Sequence, residues 1–263
     1  MTPFLTGNAY VNLIIIHFMI SLRMLGLIMA ASVFMLPSIP NTVKFWLSVA
    51  LSVIVTSVSG ASIPEIAAGS IPMMILMGTR EFLIGAVIGF ASSAPLYALQ
   101  TSGFIDGTLM GLNMMNMFDP TSQAQVSVLA QMKYMMAIWF YLHWDGHILL
   151  VRALAESVKF APVGMPSWEG FQGIPLFDWA QKVFVLAMTI SLPIFGSVIL
   201  AEVGLGFVAR TVPQMNVFVL GIPLKIAIGM LVLLTVLPGA VDIFHREIEG
   251  AVSWALGNVY FLR

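Results

Sequence analysis

Few residues in this chain could carry chemistry, and those few stand in unusual places. His143 and His147 are four apart with Asp145 between them, in "HWDGH". On one helix, that spacing puts two imidazoles on the same face and can hold a metal. Gly146 weakens such a helix, and no third ligand is evident. A helix end at a membrane interface, with Trp139, Tyr141 and Trp144 as its aromatic belt, accounts for the same residues. Asp106 and Asp119 could form a carboxylate pair, but nothing else in the sequence supports one. No G-x-S-x-G elbow, H-E-x-x-H motif or phosphate-binding glycine loop occurs. An intramembrane enzyme would need a nucleophile and a base, and no convincing pair is present. No catalytic, metal or cofactor-binding residue is therefore assigned, and no cofactor is implied.

Two other stretches remain. Glu202, Arg210 and Lys225 are the only charges between Val183 and Val241. Facing lipid at mid-bilayer, each would cost roughly 2.5–3.5 kcal/mol on insertion scales. They should therefore face water, one another or a partner. Arg210 and Lys225 lie in "ARTVPQMNVFVLGIPLK", residues 209 to 225, which also holds Pro213, Gln214, Asn216, Phe218 and Pro223. Glu202 and Arg210 are about two helical turns apart, too far for direct contact. Arg210 is expected to meet the segment of Lys225 or a carboxylate on another chain. The second stretch is "DGTLMGLNMMNMFDP", residues 106 to 120, in which Met110, Met114, Met115 and Met117 interleave with Asn113 and Asn116 ahead of Phe118. Methionine is flexible and polarizable and fits irregular apolar gaps. The stretch reads either as core packing or as a deformable seal.

The elements that must position these residues are helices in a membrane. The chain has 263 residues, of which 59% are hydrophobic and 9% charged, against about 25% charged in a soluble domain. The net charge of -1 gives no basic field for nucleic acid. There is no cysteine, which excludes disulfides and thiol chemistry. A bilayer core takes about 20 apolar residues as helix. The expected helices are 9–36, 42–60, 64–99, 120–144, 179–211 and 217–257, with Arg23, Arg80-Glu81 and Lys133 interrupting three of them. Met1 to Leu22 reads as a retained membrane element, with Thr2-Pro3 as its start, because the positive region of a signal peptide is missing.

Pro72, Pro95, Pro193, Pro223 and Pro238 sit inside apolar runs and are expected to kink them. Start signals are Ser62-Ile63-Pro64-Glu65, Asp119-Pro120 and Asp178 with Gln181. Residues 160 to 177 read as a polar-aromatic loop and a boundary between two parts. Charges of both signs travel together in the loops, so the Lys/Arg bias assigns no topology. Gly85, Gly89 and Ser93, and likewise Gly103, Gly107 and Gly111, are four apart. Such stripes permit close helix packing, within the chain or between subunits.

The run "EVGLGFVARTVPQMNVFVLGIPLKIAIGM", residues 202 to 230, resembles the FliR family of flagellar biosynthetic proteins, whose counterparts in virulence secretion are called SctT. Its A-R-x-x-P-Q-x-N-x-F core followed by G-x-P-x-K carries the resemblance, and "GLNMMNMFDP" agrees with it. The resemblance spans essentially the whole chain, and "NVFVLGIPLK" favours the flagellar branch. It implies an all-α membrane protein of kinked helices and hairpins: a FliP-like part over 1–178 and a FliQ-like helical hairpin over 179–263.

Such a chain would be present as one copy with FliP and FliQ in a helical export gate that works with FlhB and FlhA. Unfolded flagellar subunits would pass through the gate. It would sit in the inner membrane at the flagellar basal body, partly above the bilayer plane on the periplasmic side. Met110, Asn113, Met114, Met115, Asn116, Met117 and Phe118 would form a lumenal plug. Glu202, Arg210, Pro213, Gln214, Asn216, Phe218, Pro223 and Lys225 would contribute entrance-loop and subunit contacts. The rival function class is a secondary transporter that binds a small solute at midplane, but no inverted repeat is visible to support it.

Overall fold

A computed structural model describes residues 7–35, 39–59, 71–114, 127–163, 176–211 and 217–259. Among them every regular element is helical: α1 Gly7–Ala30, α2 Asn41–Ser59, α3 Ile71–Ser92, α4 Ala94–Leu109, α5 Val128–His143, α6 Gly146–Phe160, α7 Leu176–Thr211 and α8 Val217–Val259. Leu13–Ala30, Ile71–Ser92, Phe177–Thr211 and Leu220–Leu256 are long and apolar enough to cross a membrane. The chain is an all-α membrane protein.

Several boundaries differ from the sequence expectation, each for a local reason. The first helix stops at Ala30 rather than residue 36. Ala31 turns extended, with φ -76° and ψ 120°, and the amide of Ser32 donates to Ser93 Oγ at 2.8 Å. The expected helix 64–99 is broken at Ser93. Pro95 then occupies the first turn of α4, where a missing N–H costs nothing, and α4 runs on to Leu109. Pro72 likewise falls in the first turn of α3. Pro193, Pro223 and Pro238 lie inside α7 and α8, which continue through them.

The described part of α5 starts after Ser127, whose side chain accepts from the Ala130 amide as an N-cap. The Asp119-Pro120 and Ser62–Glu65 signals lie outside the described residues. Asp178 lies in the first turn of α7 rather than at its cap, and there it favours the positive helix end. α6 has no counterpart among the helices expected from the sequence. Its buried residues Leu150, Ala153, Leu154, Ser157 and Val158 follow the helical period.

The contacts form two compact units. One comprises Met1–Ala94, Asp145–Phe177 and Ile248–Arg263; the other comprises Pro95–Trp144 and Asp178–Glu247. These units follow packing, whereas the division at 178/179 follows likeness to two other proteins; residues from both sides of 178 occur in each unit.

In the first unit α1 packs on α2 and α3, and α6 covers α2 and α3. Glycine brings α1 and α3 together. A Cβ on Gly85 would run into the carbonyl of Arg23, one on Gly89 into the carbonyl of Leu27, and one on Gly26 into the carbonyl of Phe82. The backbones meet with no side chain between them, which only glycine permits.

In the second unit α7 and α8 run antiparallel. Their contacts step along the pair: Gly221 against Leu205, Lys225 with Glu202, Leu233 with Ile194 in the core, and Lys182 with Glu247 at 3.3 Å. Leu192, Leu200, Phe207, Leu231 and Leu234 of this hairpin are exposed. Only 17% of the apolar window of α8 is buried within the chain, so its outer face is left to lipid or to other helices.

Candidate functional site

Three groups of polar residues stand within the apolar helices. In the first unit, Arg23 of α1 is fully buried. Its Nε donates to Glu81 Oε2 of α3 at 2.6 Å. Nη1 donates to Ser157 Oγ at 3.1 Å and Nη2 to the carbonyl of Ala161 at 2.9 Å. Arg80 Nη1 donates to the other oxygen of Glu81 at 3.4 Å. Two charges that interrupted separate helices in the sequence therefore neutralise each other and tie three helices together.

The second group lies at the root of the Met-rich stretch. Lys133 of α5 donates to Asp106 Oδ2 of α4 at 2.5 Å and to Ser102 Oγ at 3.1 Å. Ser102 in turn donates to the Leu99 carbonyl at 2.9 Å, and Ser191 of α7 donates to the Ser102 carbonyl at 3.2 Å. Burial pushes the Asp106 carboxyl above the usual carboxylate range, and Lys133 pulls it back. Asp106 Oδ1 is buried and has no hydrogen-bond partner among the described residues. The close approach of α4 and α5 depends on Gly103, where a Cβ would lie 2.6 Å from Ala130 Cα.

Just beyond α4, Gly111 adopts φ 82° and turns the chain. Asn113 then folds back, donating to Thr108 Oγ1 at 2.8 Å and to the Phe104 carbonyl at 3.4 Å. Its amide lies beside Gly107, where a Cβ would stand 3.2 Å from Asn113 Oδ1. Met110 is fully buried in a core with Leu129, Ile194, Val198 and Leu233. It presses on Gly229 of α8, where a Cβ would come within 2.5 Å of Met110 Cε. Met114 ends a short 3-10 turn over Leu112–Met114. Met115, Asn116, Met117 and Phe118 lie outside the described residues. A cavity of about 20 Å³ beside Lys133 is lined by Leu99, Ile194, Leu233 and Leu237. It has room for about one water, and apart from Lys133 its lining is apolar.

The third group is at the hairpin end. Lys225 pairs with Glu202 of the same chain, and Arg210 stays exposed at the end of α7. Arg210 has no ion pair with the segment of Lys225 among the described residues. Pro223 is exposed on α8. Pro213, Gln214, Asn216 and the side chain of Phe218 lie outside the described residues.

His143 and His147 belong to different helices, because Asp145 between them takes φ 56° and stops the helix. His143 stacks on Trp139 at 5.1 Å. Among the described residues no three His, Asp or Glu converge as a metal site.

Residues 14–251 match the family described as bacterial export proteins, family 1. The chain is 25% identical over 237 residues to the flagellar biosynthetic protein FliR of Escherichia coli (strain K12), covering 89% of this chain and 88% of that one. It is 33% identical over 164 residues to FliR of Bacillus subtilis (strain 168), covering 61% and 63% of the two chains. It is 28% identical over 179 residues to the Yop proteins translocation protein T of Yersinia pestis, covering 66% and 67%.

Proposed function

Because the chain belongs to the bacterial export proteins, family 1, we propose that it is a membrane subunit of a type III protein export apparatus, of the flagellar branch. The match across residues 14–251 carries the reading. The fold supports it: the long hairpin of α7 and α8 leaves most of its apolar surface for other helices or lipid, as expected of a subunit that completes its burial on assembly.

In finer detail, the chain enters one export gate as a single copy with FliP-type and FliQ-type proteins. Residues 1–178 act as a FliP-like part and 179–263 as a FliQ-like hairpin. The gate stands in the inner membrane at the flagellar basal body, partly above the bilayer on the periplasmic side. Unfolded flagellar subunits pass through it, and FlhB- and FlhA-type proteins work at its entrance. Arg210, exposed and without an ion pair among the described residues at the hairpin end, is a contact point for neighbouring tips or FlhB. Lys225 is held by Glu202 and orients the start of α8.

The Met-rich stretch forms a plug in the lumen and works with a methionine gasket from the FliP-type partner. Met110 anchors this stretch to the core, and Leu112 to Phe118 form the seal. Deleting Leu112 to Met117 is expected to leave the complex assembled and to make membranes leaky to potassium, measured as single-channel conductance of the purified complex in planar bilayers. Unchanged conductance in an intact complex would remove the plug from this reading.

A further inference from the structure

We propose that the root of the Met-rich stretch is held by a two-point latch, Asp106–Lys133 and Met110–Gly229, whose work is to set where the plug begins. The inference rests on the plug reading given above.

Three observations carry it. First, both contacts lie at the end of α4, on the last residues before Gly111 redirects the chain. Each reaches a different helix: Lys133 is on α5 and Gly229 on α8. Two points fix a direction, where one would allow rotation about itself.

Second, the ion pair is poorly built for stability. Asp106 is fully buried, and only its Oδ2 meets Lys133. A buried ion pair recovers little of its desolvation cost, and apolar residues of similar size would hold the helices as well or better. What such residues would lack is direction. A charged pair has one good arrangement, whereas apolar packing tolerates slippage.

Third, Gly229 is a notch fitted to one side chain. The closest neighbours of a Cβ there would be Cε, Cγ and Sδ of Met110, at 2.5, 2.7 and 2.9 Å. Gly196, Gly204 and Gly206 of α7 and Gly239 of α8 have nothing within 4 Å. Gly229 is thus distinguished from the open glycines of the hairpin by the methionine that fills it.

The chain has no cysteine, which makes a direct test clean. The full chain with Met110→Cys and Gly229→Cys is assembled with FliP- and FliQ-type partners, oxidised with copper phenanthroline or reduced with dithiothreitol, and its potassium conductance recorded. A cross-link is expected under oxidation. The reduced complex should conduct about tenfold more than the cross-linked one, the change that a shift of about 1.4 kcal/mol in a two-state equilibrium gives. Failure to cross-link, or equal conductance in the two states, overturns the latch.

A second variant, Asp106→Leu with Lys133→Met, separates position from stability. It should assemble with unchanged yield and thermal midpoint, and still leak. Leakage that appears only together with loss of the complex would mean a structural role alone and would overturn the proposal. Deletion of Leu112 to Met117 is the reference. If that deletion leaks while both latch variants stay tight, the latch is wrong and the plug stands; if it does not leak, the plug reading fails and takes the latch with it.

Discussion

Replacing Glu81 with alanine should destabilise the first unit by about 3–5 kcal/mol, the range found when one partner of a buried ion pair is removed. Arg23 is fully buried, and Glu81 is its only anionic partner among the described residues. Without the carboxylate, the guanidinium keeps Ser157 and the Ala161 carbonyl as acceptors, but its charge is uncompensated inside an apolar bundle. Its neighbour Arg80 adds a second positive charge beside the gap. Glu81→Gln keeps an acceptor oxygen for Arg23 Nε and loses only the charge, so its loss should be smaller. Arg23→Met with Glu81→Met removes both charges, and most of the stability should return. Unfolding midpoints in detergent for the three variants measure this order. A double variant as unstable as Glu81→Ala would show that the uncompensated charge of Arg23 is not the cause of the loss.

Gly85→Ala should cost about 3 kcal/mol or more, at the top of the range for overpacking. The new methyl group would meet the Arg23 carbonyl, its carbon at 2.7 Å and the Leu27 amide nitrogen at 2.9 Å. These are backbone atoms, so no rotamer change can make room. α1 and α3 would have to separate, which also stretches the Arg23–Glu81 pair one helical turn away. Gly196→Ala is the matched control. Nothing lies within 4 Å of its added Cβ, so in the isolated chain it should gain roughly 0.5–1 kcal/mol from helix propensity. Thermal midpoints of the two purified variants should therefore move in opposite directions. A drop of equal size in both would show that the loss comes from glycine in a helix rather than from the crossing.

How much of this was legible in the sequence varied with the range of the interaction responsible. Long apolar runs gave α2, α7 and α8 to within a few residues, because local hydrophobicity alone decides them. The end of α1 was misplaced, since it depends on Ser93 Oγ capturing a backbone amide 61 residues away in the chain. α6 is not legible in the sequence because it begins on a glycine after a left-handed aspartate and carries Arg152, Glu156 and Lys159 on a short amphipathic face.

Arg23, Glu81 and Lys133 stood out in the sequence as interruptions of apolar helices. The rule that intramembrane charges pair would have suggested seeking partners among them. Which charge meets which is set by how the helices cross, and sequence spacing carries no such information. The same holds for Glu202 and Lys225, which join only once α7 and α8 run antiparallel. Nothing in the sequence marks Met110 as a core residue; its burial among Leu129, Ile194, Val198 and Leu233 and against Gly229 comes from helices distant in the chain.

The measurement that tests the account most directly is native mass spectrometry of the chain co-expressed with FliP-like and FliQ-like neighbours and extracted gently. One large complex that contains a single copy of this chain is the expected result. A monomer or homodimer free of those partners, under conditions where the partners assemble with each other, would contradict it.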